Sequence, residues 1–278
     1  MEHIIIMKKG LIYIFVISVV STFFSCDNND DFLPQEPPVT PPTVPSDAKL
    51  EKPAPLTDAP EMMIEHDAFI VSFNTTTLCP NYVAWHLTAD RINGTAERLS
   101  TFKVDPDLPI QYQVKHADYT NSGYDRGHMC PAADNKCSVD FMTQSFYTSN
   151  ICPQTATLNR GDWETLEDKC RDWVQTFSDL YIVCGPIFDN QVPMYLAPSN
   201  RPKITVPDRF FKVILCMTGT PKALGFIYYN NETKKQMREY TVSIDEIEYT
   251  THIDFYPTLS LEQQHQLEST NKPEKWGL

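Results

Sequence analysis

The chain has 278 residues, 41% of them hydrophobic and 12% aromatic, enough for one sizeable mixed domain once the N-terminus is set aside. Its formal net charge is −13, which excludes the binding of polyanions through bulk charge. Any site for nucleic acid must therefore be a local basic cleft.

The N-terminus places Lys8-Lys9 before an apolar run from Leu11 to Val20, then Ser21-Thr22-Phe23-Phe24-Ser25-Cys26. Two lysines, an apolar stretch short for a bilayer span and a small residue at the boundary predict a secretory signal peptide over residues 1–26. The Ser25-Cys26 end resembles a bacterial lipobox, which implies cleavage before Cys26 and lipidation of its thiol. The alternative is a secreted protein cut elsewhere. Residues 1–26 carry Lys8, Lys9 and Glu2, a net of +1, so the chain without them stands at −14.

From Asp27 to Pro60, prolines at 34, 37, 38, 41, 42, 45, 53, 55 and 60 argue against regular structure and predict an extended tether over residues 27–60. Asp27, Asp30, Asp31, Glu36, Asp47, Glu51 and Asp58 outnumber Lys49 and Lys52 there. Acidic residues directly after the lipid-bearing cysteine resemble the surface-export signal of bacterial lipoproteins. That resemblance implies an exported protein, anchored by lipid to the outer membrane and exposed at the cell surface.

The globular part is expected over residues 61–278. Runs rich in β-branched and aromatic residues predict strands at 68–73, 82–88, 180–184, 210–216 and 223–229. Between the second and third, Trp163, Leu166, Cys170, Trp173 and Phe177 recur every three or four residues, predicting a helix over about 163–178 with Asp162 as its N-cap. Ser243-Ile244-Asp245-Glu246 and Ser260-Leu261-Glu262-Gln263 read as capping boxes that start two further helices. Strands and helices so interspersed predict an α+β fold, helices packed on a central sheet. Eight cysteines are present, and with Cys26 lipidated seven remain, so complete pairing within one chain is impossible. None forms a CxxC pair of the kind that builds a zinc cluster.

Chemistry concentrates in two segments. Tyr124-Asp125-Arg126-Gly127-His128-Met129-Cys130-Pro131 supplies an imidazole that is neutral near pH 7 and can take a proton from water, preceded by a guanidinium whose planar fork suits a phosphate. Gly127 between them permits close backbone approach or an unusual dihedral. Thirty-one residues after His128, Asn159 stands just before the helix that carries Glu167 and Arg171 four residues apart on one face. A histidine base, an amide ligand and a nearby carboxylate suit metal-assisted phosphodiester hydrolysis. The plainer alternatives are a packed histidine, a turn asparagine and an exposed Glu–Arg pair of little energetic weight.

Taken together the motifs resemble the DNA/RNA non-specific endonucleases of the ββα-metal, or His-Me finger, superfamily. Asp125-Arg126-Gly127-His128 matches the catalytic signature, Ser149-Asn150-Ile151-Cys152-Pro153-Gln154 a second segment, and Leu158-Asn159-Arg160-Gly161-x-Trp163-x-x-Leu166-Glu167 a third. Val183-x-Gly185-Pro186 and Ser243-Ile244-Asp245-Glu246-Ile247-Glu248 extend the similarity to about residues 66–257. The resemblance implies a magnesium-dependent enzyme, with manganese as a substitute, that cleaves DNA and RNA. It makes His128 the general base and Asn159 the direct protein ligand of the metal, with Glu167 orienting water beside it. Arg126, Arg171 and Arg98, the last in Arg98-x-x-x-Phe102-x-x-Asp105, would meet phosphate charge. Asn150 would support the site, or simply satisfy backbone groups in a turn. Cys130 departs from the small residue that many relatives carry there. A surface lipoprotein that binds nucleic acid without cutting it is the competing reading.

Overall fold

The computed structural model describes residues 49–196, 202–231 and 235–278; the expected signal peptide, Cys26 and the expected tether as far as residue 48 lie outside them. Seven antiparallel strands form one sheet in the order β1 (Met62–Glu65), β2 (Ile70–Asn74), β3 (Cys79–Thr88), β6 (Asp179–Ile187), β7 (Arg209–Cys216), β8 (Lys222–Tyr229) and β9 (Thr241–Val242). Strands β4 (Asp125–His128) and β5 (Ile151–Gln154) pair separately as a two-stranded ribbon. The helices are α1 (Ala89–Ile92), α2 (Val139–Ser145), α3 (Ala156–Asn159), α4 (Asp162–Phe177), α5 (Ile244–Thr251) and α6 (Leu261–Glu268). The expected α+β class holds.

Both faces of the large sheet are covered, which is why its central strands read as unbroken apolar runs rather than alternating ones. On β7 the period of two sends Phe210, Ile214 and Cys216 into one core and Phe211, Val213 and Leu215 into the other. Helix α4 closes the first core with Trp163, Leu166, Cys170, Trp173 and Val174. Helices α5 and α6 close the second with Ile244, Ile247 and Leu267. The sheet thus separates α4, which carries the candidate site, from α5 and α6.

Helix α4 takes Gly161 rather than Asp162 as its N-cap; Asp162 and Glu164 occupy the first turn, where the helix dipole favours negative charge. Ser260 and Gln263 close both bonds of a capping box, whereas at Ser243 the hydroxyl accepts from the Glu246 amide without the reciprocal bond. Cys79, Cys130, Cys137, Cys152, Cys170, Cys184 and Cys216 are all free thiols, and every one but Cys137 is buried.

The end of the tether needs correction. Residues 49–60 do not run free: Leu50 is 2% exposed within the second core, the Lys49 and Lys52 ammonium groups donate to Glu65 at 2.8 and 2.6 Å, and the Ala54 amide donates to the Asp254 carbonyl at 2.9 Å. Prolines block helix and sheet here but do not stop an extended segment from burying an apolar side chain. Leu50→Ala should therefore lower unfolding stability by about 2–3 kcal/mol, because it opens a cavity in a packed core. Urea denaturation checks this; an unchanged midpoint would mean that the segment is not docked.

Candidate active site

The site grows from the β4–β5 ribbon, in which Gly127 faces Cys152 and His128 faces Ile151. Residues two apart on a strand share a face, so Arg126 and His128 point the same way. Gly127 is needed for proximity: a Cβ there would overlap the side-chain amide of Gln154. Asn150, fully buried, then fixes the chain just beyond the histidine. Its Oδ1 accepts from the Cys130 amide at 2.8 Å, and its Nδ2 donates to the carbonyls of Cys130 and Ser145 at 2.9 and 2.8 Å. All of these bonds go to backbone groups and Asn150 does not line the cleft, so it bears on the site through the chain that it holds. Ser149 beside it is held by Asp105, which also accepts from His66 at 2.9 Å.

Arg98, Arg126, His128, Asn159, Glu167 and Arg171 line one cleft of about 460 Å³, to which Arg160 and Glu164 also contribute. Six of the seven residues singled out for catalysis and metal binding thus converge from β4, α3, α4 and the loop after α1.

His128 is 7% exposed, its ring packed in a cluster with those of Phe102 and Phe146, both centred 5.1 Å away. Its Nε2 is buried without a protein partner. Burial, reinforced by the positive charge of Arg98, pushes the imidazole down to about 3. The ring is therefore neutral at physiological pH, as a proton acceptor must be.

Asn159, the last residue of α3, donates from Nδ2 to Asp125 Oδ2 at 3.0 Å. Asp125 also takes both arms of the Arg160 fork at 2.7 and 2.6 Å, and these bonds, Arg160 first, hold its carboxyl below the usual range. Asp125 was missed as a functional position, although its place in Asp-Arg-Gly-His could have prompted the question of what it holds. By engaging the donor end of the amide, it leaves the Asn159 carbonyl oxygen as the end available to a ligand.

Helix α4 brings Glu167 and Arg171. The plainer alternative of a Glu167–Arg171 ion pair does not form; Arg171, expected to meet phosphate charge, donates to Asp134 at 2.9 Å and to Asp168. Asp134 is buried and also accepts from the Trp85 indole at 3.2 Å, so it needs a cation more than the half-buried Glu167 does. Burial pushes Glu167 up to about 7, opposed by Lys212 and aided by Asp134. Lys212, only 1% exposed, sets its ammonium over the rings of Trp163 and Trp85 at 4.6 and 5.3 Å. Arg126 donates to the His116 carbonyl at 3.2 and 2.7 Å, and Arg98 lies 5.3 Å from the Phe146 ring centre. Among the described residues neither has a carboxylate in ion-pair contact, so both keep their charge for the cleft.

A model of the DNA/RNA non-specific endonuclease family matches residues 47–262. The chain belongs to that family. As a DNA/RNA non-specific endonuclease family member it is 33% identical over 207 residues to the mitochondrial nuclease EXOG of Danio rerio, covering 70% of this chain but 60% of that protein. It is 35% identical over 211 residues to nuclease C1 of Cunninghamella echinulata var. echinulata, covering 71% of this chain and 84% of that one. A solved structure of the EndoG/EndoGI complex contains a chain that superposes with a TM-score of 0.65 at 25% identity, covering 73% of this chain and 90% of that chain.

The Glu167 proton gives a stability test. Its folded pKa lies above the ordinary 4.5, so the folded state holds the proton more tightly and stability falls as pH rises from about 4.5 past about 7. In EDTA, Glu167→Gln should melt a few degrees above the parent chain at pH 8 and at nearly the same temperature at pH 4.5. A difference independent of pH, read by thermal denaturation, would remove burial as the cause.

Proposed function

We propose that this chain is a metal-dependent endonuclease that hydrolyses phosphodiester bonds of DNA and RNA with little base preference. The observation that carries the reading is a buried, neutral His128 lining one cleft with Asn159 and with the guanidinium groups of Arg98 and Arg126, neither of which has a carboxylate in ion-pair contact among the described residues. His128 takes the proton of the attacking water, while Phe102 and Phe146 hold its ring and disfavour the imidazolium until charge develops on the phosphate. Arg126 and Arg98 hold non-bridging phosphate oxygens, Arg126 in a fork already fixed by the His116 carbonyl. Contacts of this kind carry no sequence information, which fits action on either nucleic acid.

The residues fit a hard divalent cation. Asp125 engages the nitrogen end of the Asn159 amide, and the freed carbonyl oxygen faces a cleft that also contains the Glu167 carboxylate, an all-oxygen donor set suited to magnesium or manganese. When bound, the ion supplies positive charge to the crowded phosphate and the departing oxygen. Glu167 orients water within the cleft. A non-catalytic binder would have no use for a buried imidazole left without a partner, so the binding alternative is not favoured.

We further propose export and lipid anchoring at Cys26 to the outer membrane, with exposure at the cell surface. The basic, apolar and Ser-Cys succession and the acidic residues after it support this.

Plasmid nicking tests the enzymatic reading. His128→Ala should lose roughly 10²–10⁴ in rate while still folding. Asn159→Ala should lose activity in a way that excess magnesium or manganese partly restores, and EDTA should abolish nicking by the parent chain. Near parental nicking by His128→Ala, or indifference to EDTA, would remove the mechanism. For the anchor, Cys26→Ser should lose palmitate labelling and membrane fractionation together, since only the thiol accepts the diacylglyceryl group; unchanged labelling would exclude it.

A further inference from the structure

On the sheet face opposite the cleft, α5 and α6 bring three carboxylates together. Asp245 and Glu248 stand three residues apart on one side of α5, and Glu268 is the last residue of α6. One oxygen from each lies within 4.8 Å of the others. Glu268 is only 4% exposed, and its Oε1 is completely buried with no hydrogen-bond partner. Glu248 spends one oxygen on the Phe255 amide at 2.7 Å, which pins that carboxylate in place.

The described residues supply this cluster with no ion-pair partner: no basic side chain among them pairs with Asp245, Glu248 or Glu268. The side chains that act on Glu268 electrostatically, Glu248, Asp245 and Asp254, are all acidic. The C-terminus of α6 adds the partial negative charge of its unsatisfied carbonyls. A buried carboxylate oxygen without donor or cation is costly, and a metal ion removes that cost.

We propose that Asp245, Glu248 and Glu268 form a calcium site, distinct from the catalytic cleft, that ties α5 to α6. Calcium binds oxygen at about 2.3–2.6 Å, so ligands on opposite sides of the ion stand about 5 Å apart. The oxygens here fit within such a shell as they are. Magnesium, at about 2.0–2.1 Å with near-ideal octahedral geometry, demands a tighter set and keeps its waters. Exposed Asp245 gives the ion its way in, and water fills the remaining positions.

The test uses the full chain carrying Asn159→Ala, which weakens binding in the cleft, stripped with chelator and titrated with terbium as a luminescent calcium surrogate. Tyr256, close enough for both Glu268 and Glu248 to act on its hydroxyl, provides the antenna. Expected are one saturable site, displaced by calcium far better than by magnesium, and a Tm rise of about 5–10 °C at calcium a hundredfold above its Kd. Asp245→Asn, an exposed change that leaves the fold alone, should weaken binding about tenfold or more, and Glu268→Gln should abolish it. If Glu268→Gln fails to fold, Asp245→Asn decides. Absence of saturable emission, or emission indifferent to these substitutions, would overturn the site; equal displacement by magnesium would overturn its assignment to calcium.

Discussion

Keeping one imidazole out of water is the constraint on which the cleft depends. An exposed histidine would titrate near 6.5 and would be partly charged where the protein works. Here Phe102 and Phe146 wall the ring, and Arg98 adds a charge that opposes protonation. The surroundings exist to hold that arrangement. Gly127 lets β4 approach the Gln154 amide, and Asn150 clamps the chain at Cys130, where a shift would carry His128 out of the cleft.

The second organising principle of the cleft is the pairing of particular acids with particular cations. A chain of net −13 has to make a local basic surface, and it does so by pairing some arginines and leaving others free. Asp125 takes Arg160 and Asp134 takes Arg171, while Arg126 rests on a carbonyl and Arg98 on a ring. The same acids do positional work: Asp125 turns the Asn159 amide, and Asp134 ties α4 to β3 through the Trp85 indole. Lys212, beneath Glu167, keeps that carboxylate from rising further. Phosphate binding in the proposed reaction thus rests on few cations, with long-range attraction weak.

What could be read from the sequence was what local pattern encodes. Strands β3, β6, β7 and β8 announced themselves as β-branched and aromatic runs, and α4 through its three-and-four spacing. His128, Asn159 and Glu167 were legible because their types and spacing form a recognisable chemical set. Partners chosen across long stretches of chain were not legible. Arg171 prefers Asp134, 37 residues away, to its helical neighbour Glu167, because a buried carboxylate outbids a half-buried one. For Asn150 the sequence left two readings open, and only the fold shows that its amide bonds go to the backbone of Cys130 and Ser145. The docking of Leu50 was hidden by prolines that specify extension but say nothing about what an extended segment touches.

The most direct measurement is chemical rescue of the proposed base. In the His128→Ala chain, free imidazole can enter the space left by the ring, and plasmid nicking in magnesium should return in proportion to its neutral form. The rescued rate should rise with pH through the ionisation of free imidazole near neutrality, whereas in the parent chain His128 contributes no acidic limb until well below pH 5, because burial holds it near 3. Failure of imidazole to restore nicking to a folded variant, or a parent limb near 6.5 that moves with His128, would contradict the account of a base made available by burial.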